Sequence, residues 1–151
     1  MSCNIISVHL DEEFDRIVYF ESVRELQELF HADEDAAWPY RTKDPVVDFG
    51  YFEGKTVWLA LDGRGAAVGL LVAEKDDYGS NYSTCAFYVS PEHRGNGVGT
   101  SLFRKLSDHA ESEGCGLELL VRNDNVKAKR LYYGFGLKPC AELLYRKVTG
   151  G

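Results

Sequence analysis

No apolar run in the 151-residue chain approaches the roughly 18 residues that a membrane-spanning helix requires. The opening MSCNIISVHLDEEF lacks both the basic start and the apolar stretch of a secretory signal, so a cytoplasmic location is expected. Cysteine is sparse. Cys3, Cys85, Cys115 and Cys140 form no CxxC pair and have no histidine at ligand spacing, so no metal site is expected and all four read as small apolar residues. Repeats, low-complexity segments and linkers are absent, and residues 1–151 read as one domain with one core. Positive charge is in deficit, with a net charge of −7, which excludes a general nucleic-acid-binding surface.

That deficit is uneven. Residues 1–90 carry 7 Lys and Arg against 17 Asp and Glu, a balance of −10, whereas residues 91–151 carry 10 against 7, a balance of +3. One half is strongly acidic and the other mildly basic.

Hydropathy patterning orders the elements. Asn4 to His9 reads as a strand, with Arg16 to Phe20 as a possible partner strand. Ser22-Val-Arg-Glu25 has the form of a capping box, and Val23, Leu26, Leu29 and Phe30 behind it predict a helix to about His31. Residues 32–54 show no clear period and read as a long irregular segment rich in acids and aromatics. Lys55 to Leu61, Ala66 to Glu74 and Ser83 to Val89 predict three strands joined by the turns Asp62-Gly63-Arg64-Gly65 and Asp76 to Asn81, an antiparallel meander. From Val98 the apolar residues Leu102, Phe103, Leu106 and Ala110 recur at helical spacing, and Gly114-Cys115-Gly116 ends that helix. Leu117 to Val121 predicts a further strand, Asn125 to Tyr133 a short helix, and Leu137 to Val148 one or two strands. A meander followed by a strand–helix–strand crossover predicts a mixed α/β sheet.

Chemistry concentrates in Arg94-Gly95-Asn96-Gly97-Val98-Gly99, between a strand and a helix start. The first amides of a helix lack internal partners and the helix dipole adds positive potential there. Glycines let the backbone curve so that several amides converge on one anion without a side-chain clash. The location suits a phosphate. The nucleotide pattern GxxxxGK[ST] is absent, and the order GxGxG after a meander differs from the GxGxxG of dinucleotide folds. Pyrophosphate-bearing coenzymes of another type remain.

Here the residues resemble a known family. Arg94-x-x-Gly97-x-Gly99, with its lead-in Tyr88-Val-Ser-Pro-Glu-His93, is similar to the Q/R-x-x-G-x-G/A signature of the GNAT N-acetyltransferases. A second stretch, Asn125-x-x-Ala128-x-x-Leu131-Tyr132-Tyr133-Gly134-Phe135-Gly136, is similar to that family's N-x-x-A-x-x-L-Y signature. The resemblance covers about residues 66 to 138. It departs at Leu137, where the family has Phe, and in a short tail that implies an abbreviated last hairpin.

The resemblance implies a mostly antiparallel twisted central sheet with flanking helices and a splayed parallel pair at the coenzyme site. It implies acetyl-CoA as co-substrate and a primary amine as acceptor. Arg94, the amides of Gly95, Asn96, Gly97, Val98 and Gly99, and Thr100 would hold the pyrophosphate. The backbone of Phe87, Tyr88 and Val89 would follow the pantetheine arm, with the Tyr88 or Val89 amide polarising the thioester carbonyl. Asn125 would bind the arm or cap its helix, with Ala128 beside it, and Tyr132 would act as general acid or, alternatively, pack its helix into the core. No carboxylate lies in the strand Ser83 to Val89, so the base would be Glu74, Asp76, Asp77 or water. The acidic first half favours a cationic acceptor such as a polyamine, an aminoglycoside or a protein lysine or N-terminus, against a cleft of Trp38, Tyr40, Tyr51, Phe52 and the acids 33–35. The alternatives are a different acyl group and a non-catalytic acyl-CoA-binding domain working through a protein partner. A homodimer is compatible with such a sheet.

Overall fold

The computed structural model describes residues 3–38 and 46–146. Its centre is a five-stranded sheet in the order β1-β2-β3-β4-β5. The strands are β1 (Asn4–Val8), β2 (Thr56–Leu61), β3 (Ala67–Lys75), β4 (Asn81–Val89) and β5 (Gly116–Leu117). β1 to β4 pair antiparallel in sequence order, and β5 lies parallel to β4 at Asn81↔Gly116 and Tyr82↔Leu117 only. The meander, the mixed sheet and the parallel pair thus appear as expected. Its turns are built from aspartates: Asp62 accepts from the amides of Arg64 and Ala66 at 2.8 and 3.0 Å, and Asp76 from those of Ser80 and Asn81 at 2.8 and 3.2 Å. These backbone donors hold both carboxyls below the ordinary aspartate value.

Two helices sandwich the sheet. α1 (Glu13–Ala37) covers one face through Val23 and Leu26, which meet Leu59, Leu70, Val72, Ala86 and Tyr88. α2 (Val98–Ser112) covers the other through Val98, Leu102, Phe103, Leu106 and Ala110, against Trp58, Ala60, Leu71 and Tyr82. Helix and sheet approach closely at Gly69, where a side chain would meet Leu102 at 3.0 Å and Val98 at 3.2 Å. α3 (Val126–Gly134) follows β5 and leans on α2 through Tyr132, 5.2 Å from the Phe103 ring.

Five expectations fail. Arg16 to Phe20 is helical, and Ser22 lies inside α1 instead of capping it. Only part of the helix keeps one apolar face: Phe14 and Ile17 are exposed on its first turns, which breaks the period that would have revealed them. The segment 32–54 is not irregular throughout, because α1 runs on to Ala37 and Phe49–Phe52 forms a 3₁₀ turn capped by Asp48. Trp38, preceding Pro39, is extended at φ −95°, ψ 120°, which ends the helix. The strands expected over Leu137 to Val148 are absent from residues 137–146, and positions 147–148 lie outside the described residues. Leu143, Leu144 and Tyr145 stay exposed there, with Pro139 upstream. The strand from Leu117 is likewise curtailed, ending at Leu117 instead of Val121.

Candidate active site

β4 is closed at its start and open at its end. The amides of Gly116 and Glu118 donate to the carbonyls of Ser80 and Tyr82 at 2.9 and 3.0 Å, and past Tyr82 no described strand pairs with its outer edge. The register against β3 shifts between Val72↔Ala86 and Ala73↔Thr84, so Cys85 is an extra residue, a β-bulge. Bulge and unpaired edge together expose β4 backbone beside the segment that follows β5.

The glycine loop lies just beyond this edge. A 3₁₀ turn (Pro91–His93) leads from β4 into Arg94, and α2 begins after Gly97. Gly95 and Gly97 have φ of +82° and +81°, left-handed values that only glycine adopts readily, and a Cβ at either would meet nothing within 4 Å. The amides of residues 95–100 donate to no other described residue; the first bond of α2 runs from the Ser101 amide to the Gly97 carbonyl at 3.0 Å. No side chain caps the helix. Gly99 packs α2 onto the strand, its missing Cβ 3.5 Å from Phe87. The result is a curved run of free N–H groups with the helix dipole behind it, able to bind an anion of phosphate size.

Between loop and α3 lies an aromatic floor. Phe87 and Val89 face α2, while Tyr88 faces α1. Phe87, Phe103 and Tyr132 stand with ring centroids 5.2 to 6.4 Å apart, and Ala128 packs against the same cluster. Tyr132 is buried, and its hydroxyl bonds to no described residue. Burial, with a smaller contribution from the charge of Glu34, pushes its pKa up to about 12, so the phenol is neutral across ordinary pH. Asn125 caps α3, its side chain accepting from the Ala128 amide at 3.2 Å.

On the α1 side, Glu74 pairs in register with Ser83, near the bulge. Its carboxylate is half-exposed and 3.8 Å from Lys55 Nζ, which also donates to the Tyr51 carbonyl at 2.7 Å. Asp76 is occupied by its turn. Cys85 is no nucleophile at neutral pH, since burial and then the Glu74 charge raise its thiol to about 12.

Several expected neighbours are dispersed. Phe52 is core, at 4 % exposure, and Tyr51 reaches Gln27 at 3.2 Å on the inner face of α1; Tyr40 lies outside the described residues. Asp33 to Asp35 sit on the last turns of α1, not in a loop. A separate groove of about 880 Å³, lined by His9, Arg16, Lys55 and His109 among others, lies by the end of β1 and the start of β2, with no residue of the glycine loop in its lining. Sequence reasoning grouped Glu34 with the cleft acids but missed its pairing with Trp38, whose indole N–H its carboxylate receives one helical turn on. The i, i+4 spacing was its only signal, and it required knowing that the helix extends that far.

A family model described as "Acetyltransferase (GNAT) family" matches residues 21–136. Curated relatives include thialysine N-epsilon-acetyltransferases of Bos taurus and Mus musculus, each 38% identical over 56 residues. That match takes in 36% of this chain and spans only a third (33%) of each relative's length. Among solved structures, AAC(6')-Iy in complex with the bisubstrate analogue CoA-S-monomethyl-acetylneamine aligns with a TM-score of 0.71 at 15% identity, over 98% of this chain and 99% of that one. A predicted acetyltransferase from Clostridium acetobutylicum, solved with acetyl-CoA, aligns at 0.68 and 14% identity over 96% of both chains. At such identities these two likenesses are likenesses of fold.

Proposed function

Because the chain belongs to the GNAT acetyltransferase family, we propose that it binds acetyl-CoA along the open end of β4 and transfers the acetyl group directly to a primary amine. The observation that carries this reading is the run of amides over residues 95–100 with no partner among the described residues, beside a strand edge that no described strand covers past Tyr82. The pyrophosphate would take the amides of Gly95 to Gly99 and the Thr100 position. The amide-bearing pantetheine arm would take the free edge at Phe87 to Val89.

The chemistry follows. The acceptor enters as an ammonium and must lose a proton before its nitrogen can attack the thioester carbon. Glu74 is the proposed base: it lies near the bulge, is reachable from solvent, and is held by Lys55 instead of a turn. Attack makes the N–C bond and moves the carbonyl pair onto oxygen, where a β4 amide at Tyr88 or Val89 would stabilise it. Collapse breaks the C–S bond, and the departing thiolate is met by the Tyr132 hydroxyl. Full proton transfer from a phenol at about 12 to a thiolate whose conjugate acid lies near ~8.5 is uphill. Tyr132 therefore acts chiefly by a hydrogen bond to the developing thiolate. The sum is an amide, free CoA thiol and one proton released. With Cys85 held as a thiol, no acetyl-cysteine intermediate is invoked.

A cationic acceptor is proposed. The relatives matched over 56 residues are named for the ε-amine of thialysine, and the half of the chain preceding the loop carries a charge of −10. The test is thermal unfolding with and without acetyl-CoA, followed by CoA-thiol release over a panel of polyamines, lysine analogues and aminoglycosides. Acetyl-CoA at a hundredfold excess over its dissociation constant should stabilise by about 2.7 kcal/mol, and at least one amine should release thiol. Absence of stabilisation would overturn the coenzyme site; stabilisation without turnover would leave a coenzyme binder.

A further inference from the structure

Arg94 opens the glycine loop, yet its side chain turns away from the loop amides. Nε donates to the Val89 carbonyl at 2.7 Å, and Nη2 pairs with Asp33 Oδ2 at 3.6 Å. These nitrogens form one edge of the guanidinium fork, so that edge joins the last carbonyl of β4 to a carboxylate near the C-terminal end of α1. The guanidinium carbon also lies 5.4 Å from the ring centroid of Tyr88, which faces α1. One side chain thus binds three elements: the strand end, the loop and the long helix.

The buried residues of α1 are Val23, Leu26, Gln27 and His31, and its last turns, from Ala32 on, contribute no buried apolar side chain. Those turns carry Glu34, whose carboxylate receives the Trp38 indole N–H and whose charge reaches Tyr132. An ion pair with side chains 43% and 61% exposed adds little to global stability, but it can decide where a weakly packed helix end sits.

We propose that Arg94 is a positioning residue for the amine side of the reaction: through Asp33 it fixes the C-terminal end of α1, with Glu34 and Trp38, against the end of β4, and it does not hold the coenzyme phosphates. The inference rests on the acetyltransferase reading of the site. It separates two roles that the glycine signature runs together, with the loop amides serving the coenzyme and the arginine side chain serving the acceptor wall.

The experiment measures acetyl-CoA affinity by calorimetry, the KM of an amine found by the panel, and hydrogen exchange over residues 33–38. It uses wild type, Arg94→Gln, Asp33→Asn and the double variant. Expected are acetyl-CoA affinities within about threefold of wild type and amine KM raised about tenfold in each single variant. The double variant should be no worse than either single, as two ends of one interaction require. Exchange at 33–38 should quicken in all three. Loss of acetyl-CoA affinity by about tenfold or more in Arg94→Gln with Asp33→Asn neutral would make Arg94 a phosphate ligand and overturn the proposal. Unchanged exchange at 33–38 would overturn it as well. If wild type binds no acetyl-CoA, the acetyltransferase reading fails, and the exchange measurement still decides whether Arg94 fixes the helix end.

Discussion

The two ends of β4 are built from similar material and reach opposite outcomes. At its start the strand has neighbours on both sides, and Tyr82 closes the corner: its hydroxyl donates to Glu113 at 2.8 Å and contacts His109 at 3.1 Å, while Lys75 reaches Glu113 at 2.5 Å. Each of these polar groups has a partner. At its end no described strand pairs with its outer edge, the amides of residues 95–100 have no acceptor among the described residues, two glycines sit at positive φ, and the Tyr132 hydroxyl bonds to no described residue. Buried and turn-forming polar groups are normally satisfied. The lesson is that the closed end spends its hydrogen-bonding capacity on the sheet, whereas the open end leaves that capacity unused among the described residues.

The largest break in this comparison comes from Gly97→Glu. A side chain there must adopt a left-handed backbone, which costs roughly 1–2 kcal/mol, and it would set a negative charge beside the loop amides, where a Cβ meets only open space. Acetyl-CoA affinity should fall below detection in calorimetry while the far-UV spectrum stays native. Affinity within about tenfold of wild type, a loss of only 1.4 kcal/mol, would remove the loop from the binding site.

Next in size is Tyr132→Phe. The ring contacts with Phe87 and Phe103 survive, so coenzyme affinity and fold should hold, while kcat falls by roughly 10²-fold, the lower range for loss of a proton-donating group. The raised pKa of Tyr132 sets the pH behaviour. The phenol keeps its proton up to about 12, so no descending limb below pH 10 belongs to it. A descending limb near neutrality that vanishes in Tyr132→Phe would contradict this assignment.

The same contrast explains what the sequence made legible. The glycine loop and the second signature are local: backbone freedom and helix-start chemistry are written in consecutive residues, and they stood where expected. The α2 face was legible because Val98, Leu102, Phe103, Leu106 and Ala110 keep a strict period. The start of α1 was not, since Ile17, Val18, Tyr19 and Phe20 have strand-like propensity that the helix overrides, and Ser22 and Glu25 imitate a cap at its middle. The tie between Arg94 and Asp33 spans 61 positions of the chain and leaves no local trace.

At the closed end, Glu113→Gln tests the other half of the comparison. Hydrogen bonds from Lys75 and then Tyr82 hold the Glu113 carboxyl below its ordinary value. A carboxylate so depressed stabilises the fold above its unfolded pKa, and that contribution fades as pH falls through the lowered folded value. Wild type should therefore melt a few degrees above the variant at neutral pH, with the gap closing in acid, and acetyl-CoA affinity should be equal in both. A gap that persists unchanged well below pH 4 would mean that the carboxylate charge is not what the variant removed.

The smallest effect falls at Asn125, which sits on the boundary between the two kinds of role. Its side chain satisfies the Ala128 amide at 3.2 Å, so Asn125→Ala should cost about 1 kcal/mol of stability. For a chain of this size that corresponds to roughly 2–4 °C in Tm. Asn125→Asp preserves the cap, because its oxygen accepts the same bond at a helix start that favours negative charge. It also removes the amide donor that a carbonyl of the pantetheine arm would need. If Asn125 only caps, the aspartate variant keeps both melting temperature and acetyl-CoA affinity. If it also binds the arm, the melting temperature of the free protein holds while affinity drops severalfold, and the boundary between scaffold and site runs through a single side chain.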